Sequence, residues 1–268
     1  MGIEALDYGF MRSALLAGVV LGALFSLMGI FVVTRGMSFF SDFVAHSAIL
    51  GAALALLLDT DPALFLIPYS LVMAFAVALV WNSFSLSRDT VLGVFYGGAV
   101  ASGIIIVSVK GFGQATLMQF LFGDILLIGD RDILLASGLL LAFVLFLSLN
   151  MRKLLKASFI PEIASAEGVS VRAYDYALIG FIAVTIALSI KLIGVILANA
   201  MVVIPAASAK VLSRSFRQFI VIAPIMGVTS FGAGVLASYY LNIPSGPAVI
   251  GAGFILFAVS LTISKFRR

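Results

Sequence analysis

"TIALSIKLIGVILANAMVV", residues 185–203, is the stretch on which the architecture turns. The largely apolar run around it extends from about 174 to 212, and within the quoted stretch only Lys191 is charged. A helix needs about 20 apolar residues to cross a hydrocarbon core of about 30 Å, so this run is nearly twice what one crossing uses. It is read as two spans, 174–190 and 192–212, with a minimal turn at Lys191. The same length rule, worked outward, picks out further spans at about 10–33, 39–58, 63–84, 91–109, 132–150, 218–240 and 247–264. The expectation is therefore nine spans, or eight if the first span or the Lys191 junction is misplaced.

Bulk composition agrees. The 268 residues are 63% hydrophobic and 10% charged, and the mean hydropathy is +1.23. A soluble domain carries roughly a quarter charged residues. Alternating ten-residue strands are absent, which excludes a barrel. The chain is thus expected to be an all-α polytopic transmembrane bundle, a single membrane domain over residues 1–268. The first span lacks a basic leader and a small-residue cleavage site, so it is read as retained.

Basic residues set the orientation. Arg35, Arg88, the cluster Arg152, Lys153, Lys156 and Arg172, then Arg214, Arg217 and the tail Lys265, Arg267 and Arg268 fall on one side. The opposite loops, "DTDP" (59–62), "GFGQAT" (111–116) and "LNIPSGP" (241–247), are short and acidic or neutral. Lys110, Arg131 and Lys191 are the exceptions. This places the N-terminus outside and the C-terminus in the cytoplasm.

Two segments do not read as plain spans. Residues 113–129 are apolar but interrupted at Gly123 and Asp124, and they are too short to cross and return. An outer re-entrant or interfacial helix fits them, with Asp124 either at an outer gate or as an exposed cap. Residues 152–173 are the longest polar stretch. Pro161 suits the first turn of a short helix and Gly168 its stop. The apolar Phe159, Ile160 and Ile163 in such a loop suit docking to another protein, with Glu162 and Glu167 meeting a basic rim; an ordinary amphipathic loop is the alternative.

The chemistry is sparse. His46 is the only histidine and cysteine is absent, so disulfides and thiolate metal sites are excluded. No G-x-x-x-x-G-K-[ST] loop occurs, so the chain has no phosphate cradle of that kind. One histidine without a thiol also leaves an enzyme reading without a nucleophile and base. Asp42 and His46 are four residues apart and share a helix face. A carboxylate and an imidazole suit Zn²⁺, Mn²⁺ or Fe²⁺. The competing reading makes Asp42 a helix cap and gives His46 a backbone carbonyl. Asn199 and Pro205 lie mid-span, where a proline bends a helix and a broken helix can line a pathway. An interhelical hydrogen bond and a passive kink account for them equally well. Paired broken helices in inverted repeats, as in gradient-driven transporters, are not visible, since only one span reads as proline-interrupted.

Four motifs in order carry a resemblance. "SDFVAHSAILGAALA" (41–55), "FIPEIASAEGVSVRAYD" (159–175), "SIKLIGVILANAMVVIPAASAKVLS" (189–213) and "SYYLNIPSGPAVI" (238–250) resemble segments of the zinc/manganese/iron-type ABC transporter permeases, the ABC-3 family. The likeness runs from about residue 10 to 264. Ile49-Leu50-Gly51 stands where the family often has Leu-Pro-Gly. The resemblance implies a type II importer-like fold, distantly like the cobalamin and siderophore permeases. It also implies a homodimer in a bacterial or archaeal cytoplasmic membrane, two ATP-hydrolysing subunits and an extracytoplasmic metal-binding protein. No bound cofactor or nucleic acid is implied, and the cargo would be a divalent metal ion or, alternatively, a metal chelate. On this resemblance Asp42 and His46 meet the ion, and Phe159, Pro161, Glu162, Ala164, Glu167 and Gly168 belong to the loop helix that couples to the ATPase.

Overall fold

The structure, a computed structural model, describes residues 7–111, 123, 125 and 128–266, which form helices without strands. Helices α1 (Gly9–Thr34), α2 (Ser38–Leu57), α3 (Pro62–Ser83) and α4 (Arg88–Lys110) come first. They are followed by α5 (Asp130–Phe159), a short α6 (Pro161–Ala166), α7 (Val171–Leu212), α8 (Phe216–Leu241) and α9 (Ser245–Phe266). All but α6, eight in number, are long and apolar enough to cross a membrane.

Side chains start several helices in the ordinary way. The oxygens of Asp61, Ser87 and Ser215 accept backbone N–H groups of Ala63, Thr90 and Gln218, satisfying donors that the first turn leaves over. α4 ends at Gly111 in the left-handed region. Pro161 occupies the first turn of α6, and Gly168 follows its end with φ +78°.

α7 is 42 residues long, with non-helical backbone at Gly194 (φ 76°, ψ 165°). Asp175, near its start, pairs with Arg35 just past the end of α1. On its later part, the Val202 carbonyl abuts Gly29 of α1. Along a straight helix those 27 residues span about 40 Å, whereas Arg35 and Gly29 are about 9 Å apart along α1. Both ends of α7 therefore lie at the same end of α1, and α7 folds back at Gly194. The expected turn is real but sits three residues after Lys191. A charge in the middle of a run marks it less well than a residue able to adopt positive φ. With α7 in two arms, the eight long helices present nine apolar segments among the described residues.

One further boundary is set by the helix: α5 does not end with the apolar run near 150 but continues to Phe159. "MRKLLKASF" combines good helix formers with buried Leu154 and Ala157, so the basic cluster extends the helix instead of opening a loop. The helix also continues through Pro205, and prolines lie inside α3 (Pro68) and α8 (Pro224) as well. Proline within a span is thus not confined to α7 and breaks none of these three helices; the break in α7 belongs to Gly194. Most of 113–129, including Asp124, lies outside the described residues.

α1, α2 and α7 form the middle of the bundle, with 72%, 67% and 72% of their apolar windows buried, against 17% for α5. Lipid is as apolar as leucine, so close van der Waals contact between small residues holds such helices together. Gly22 and Gly227 bring α1 and α8 into backbone contact. A Cβ at Gly29 would lie 1.9 Å from the Val202 carbonyl oxygen, whereas nothing lies within 4 Å of one at Gly97. Gly29→Ala must push α1 and α7 apart and is expected to lower the melting temperature of the detergent-purified protein clearly, at about 1–3 kcal/mol of overpacking. Gly97→Ala should leave the melting temperature unchanged or slightly raised; equal effects of the two would contradict this packing.

Candidate metal-transit site

α2 buries nearly every side, but Phe39, Asp42, His46, Leu50 and Leu54 remain at least partly open, one stripe at helical spacing. Asp42 and His46 are the polar members of that stripe, with side chains 23% and 22% exposed. The helix begins after Met37, so Asp42 lies in the second turn and does not cap it.

The fold-back of α7 delivers the third group. Asn199, on the second arm, donates from Nδ2 to Asp42 Oδ1 at 2.9 Å. Its Oδ1 accepts from Ser41 Oγ at 2.7 Å. Both ends of the amide are thereby used, which fixes its orientation, since a carboxylate accepts and a hydroxyl can donate. His46 Nδ1 lies 3.0 Å from the Asp42 carbonyl oxygen and 3.1 Å from Asp42 Oδ1. Both neighbours are acceptors, so Nδ1 carries the proton, and in the neutral ring Nε2 keeps the lone pair. The Tyr96 ring of α4 packs against the imidazole, centroids 5.2 Å apart.

Asp42 Oδ1 is thus committed to Asn199 and His46, while among the described residues neither Asp42 Oδ2 nor His46 Nε2 has a protein partner. These are one hard and one borderline donor. Their usual metal partners are Zn²⁺, Mn²⁺ and Fe²⁺, with distances near 2.0–2.2 Å for zinc. Among the described residues no three His, Cys, Asp or Glu side chains come together, so one chain offers a pair and not a closed cage. A pair that leaves most positions to water binds loosely enough to release an ion.

The structure therefore brings together Asp42, His46 and Asn199. His46 makes the backbone contact that the competing reading gives it, and among the described residues its Nε2 has no protein partner. Pro205 is buried in the second arm of α7, six residues past Asn199. Asp124 lies outside the described residues. Ser41 and Tyr96 were missed from sequence. Ser41 was one position from a flagged residue, and Tyr96 stood in the small-residue run "VFYGGAV".

The loop residues form a separate group on the basic side. Phe159, Ile160 and Ile163 are about half exposed, and Ala164 is buried. Pro161, Glu162 and Gly168 line an open cleft of about 660 Å³, together with Arg172 and Asp175. Glu167 pairs with Lys156 of the same chain, with both side chains about half exposed.

A multi-pass helical bundle that holds an Asp–His–Asn cluster within its apolar helices has the construction of a membrane transport protein. The chain belongs to the ABC 3 transport family, which it matches over residues 7–264. It is 32% identical over 248 residues to the high-affinity zinc uptake system membrane protein ZnuB of Haemophilus influenzae, covering 92% of this chain and 95% of that one. It is 28% identical to the manganese import system permease protein ScaB of Streptococcus gordonii, covering 98% and 94%. Among solved structures it superposes on PsaBC from Streptococcus pneumoniae in complex with Fab, with a TM-score of 0.86, 27% identity and complete coverage of both chains. The fold also matches a metal-chelate type ABC transporter in an inward-facing conformation, at a TM-score of 0.77 and 16% identity, covering 94% and 86%.

Asn199→Leu removes both interhelical bonds, leaving Ser41 Oγ only the Ser38 carbonyl and Asp42 Oδ1 only His46. A loss of about 1–3 kcal/mol in stability is expected, read as a lower melting temperature. Asn199→Gln, which keeps the groups but displaces them, should fall between; a melting temperature unmoved by Asn199→Leu would contradict the tie.

Proposed function

We propose that this chain is the membrane-spanning permease of an ABC importer that moves a divalent transition-metal ion, zinc, manganese or iron, into the cell. The observation that carries the reading is the pairing of Asp42 and His46 on the open stripe of α2, with Asp42 Oδ2 and His46 Nε2 left without a protein partner among the described residues. Ionisable groups within membrane helices are costly unless they face a polar path, so their position speaks for transport. The zinc and manganese functions in the names of ZnuB and ScaB support the same class of cargo. A bare ion suits this donor pair better than a chelate, whose coordination positions are already filled by its own ligands.

The transporter works as a homodimer. A half-open Asp–His pair in apolar surroundings needs cover, and a second copy supplies it while raising two ligands to four. ATP is hydrolysed by separate subunits, two per transporter, which dock on α6 and the half-exposed Phe159, Ile160 and Ile163. An extracytoplasmic metal-binding protein hands the ion to the opposite side. The basic side is cytoplasmic, which puts the N-terminus outside and the C-terminus inside. Asp42 and His46 accept the ion while Asn199 and Ser41 hold the carboxylate in place. Loose two-sided coordination then lets the ion leave as the ATPases rock the bundle.

His46→Ala should reduce ATP-driven zinc or manganese uptake at least tenfold in membranes where the complex still assembles. Uptake at the wild-type level would contradict the reading. Ile163→Asp, a change on an exposed face of α6, is expected to abolish co-purification of the ATPase while leaving the chain folded. Undiminished co-purification would move the docking surface elsewhere.

A further inference from the structure

Arg35 is a deeply enclosed charge that the site does not use. It lies in the short turn between α1 and α2, and its side chain is 6% exposed. Nε donates to Ser158 Oγ at 3.0 Å, and Nη1 forms an ion pair with Asp175. Ser158 is the penultimate residue of α5 and Asp175 lies in the first turns of α7. One guanidinium thus grips both flanks of the loop that holds α6. Asp175 also lines the cleft beside Pro161, Glu162 and Gly168, so whatever fills that cleft reaches Arg35 through one side chain.

We propose that Arg35 is the positioning residue that couples the loop helix to the transit site, passing displacement of α6 through Asp175 and Ser158 into α2. The proposal rests on the permease reading above. From Arg35 the chain reaches Ser38, the first residue of α2, in three residues, and Asp42 and His46 lie in the next turns. A rigid helix transmits a shift at its first residue to those turns, where Asn199 couples it to the second arm of α7. Movement of the loop therefore has a continuous path of bonds to the carboxylate.

The node also leaves one donor unmet. Arg35 Nη2 is buried with no hydrogen-bond partner, and such a donor carries a cost that another geometry can recover. Burial, and then the nearby charge of Arg88, pushes Arg35 down to about 10. It therefore stays charged at neutral pH, paired with Asp175. Arg88 itself is drawn aside over the Trp81 ring, 5.4 Å from its centroid. Lysine cannot replace Arg35 here, because only the planar fork reaches Ser158 and Asp175 together.

The test is the amount of metal moved per ATP hydrolysed. The complex, purified with its ATPase and reconstituted in liposomes, is assayed for Zn²⁺ or Mn²⁺ uptake and for ATP hydrolysis in parallel. In Arg35→Lys and Asp175→Asn, hydrolysis should stay within about twofold of wild type while uptake per ATP falls tenfold or more. Ser158→Ala and Asp175→Glu, milder changes, should lower the same ratio severalfold and carry the test if the first pair does not assemble. A ratio unchanged in all four, or uptake and hydrolysis falling in proportion, makes Arg35 a structural staple and overturns the proposal. A wild-type complex that hydrolyses ATP but accumulates neither metal overturns the permease reading itself, and the relay with it.

Discussion

Asp42 is a carboxylate among packed apolar helices, and everything at the site follows from supplying it with donors. Burying a charge without partners costs several kcal/mol, more than most local features of a protein contribute. Here Oδ1 takes one bond from Asn199, on another helix, and one from His46, a turn away. Those two bonds orient the carboxylate, set the tautomer of the imidazole and leave one oxygen and one nitrogen available. A tighter network that satisfied every atom would be a structural tie; this one is satisfied only on its inner side.

The second donor exists because α7 folds back. If the apolar run had continued straight through Gly194, Asn199 would have been carried away from α2. Positive φ at Gly194 turns the chain, and close contacts such as Gly29 against Val202 seat the returning arm beside α1. Backbone packing of small residues thus positions the chemistry, in a protein where lipid removes the hydrophobic drive between helices. On the basic side a second network, Arg35 with Asp175 and Ser158, ties the returning end of α5 and the start of α7 to the turn before α2.

Much of this could be read from sequence, because membrane crossing is a strong constraint on composition. Apolar runs and basic loops were enough to find the spans and group their basic ends. The fold-back was legible as an excess of length, but its position was not: Lys191 was the visible interruption, and Gly194 the residue able to turn. The end of α5 was hidden because "MRKLLKASF" is polar by composition yet amphipathic by spacing, so the helix outlasts the membrane run. Asp42 and His46 were visible from their i, i+4 spacing. Their tie to Asn199 was not, since no local pattern says which of two distant spans meet. Arg35 looked like one more basic loop residue, and only the packing of three helix ends shows its burial.

The central claim is that the free sides of Asp42 and His46 meet the metal ion. X-ray absorption spectroscopy of the zinc-loaded complex, held without ATP, tests it most directly. The account predicts an all oxygen and nitrogen shell near 2.0–2.2 Å with the outer-shell scattering of imidazole, and loss of the imidazole signal in His46→Ala. Bound zinc without imidazole scattering, or a spectrum that His46→Ala leaves unchanged, would contradict it.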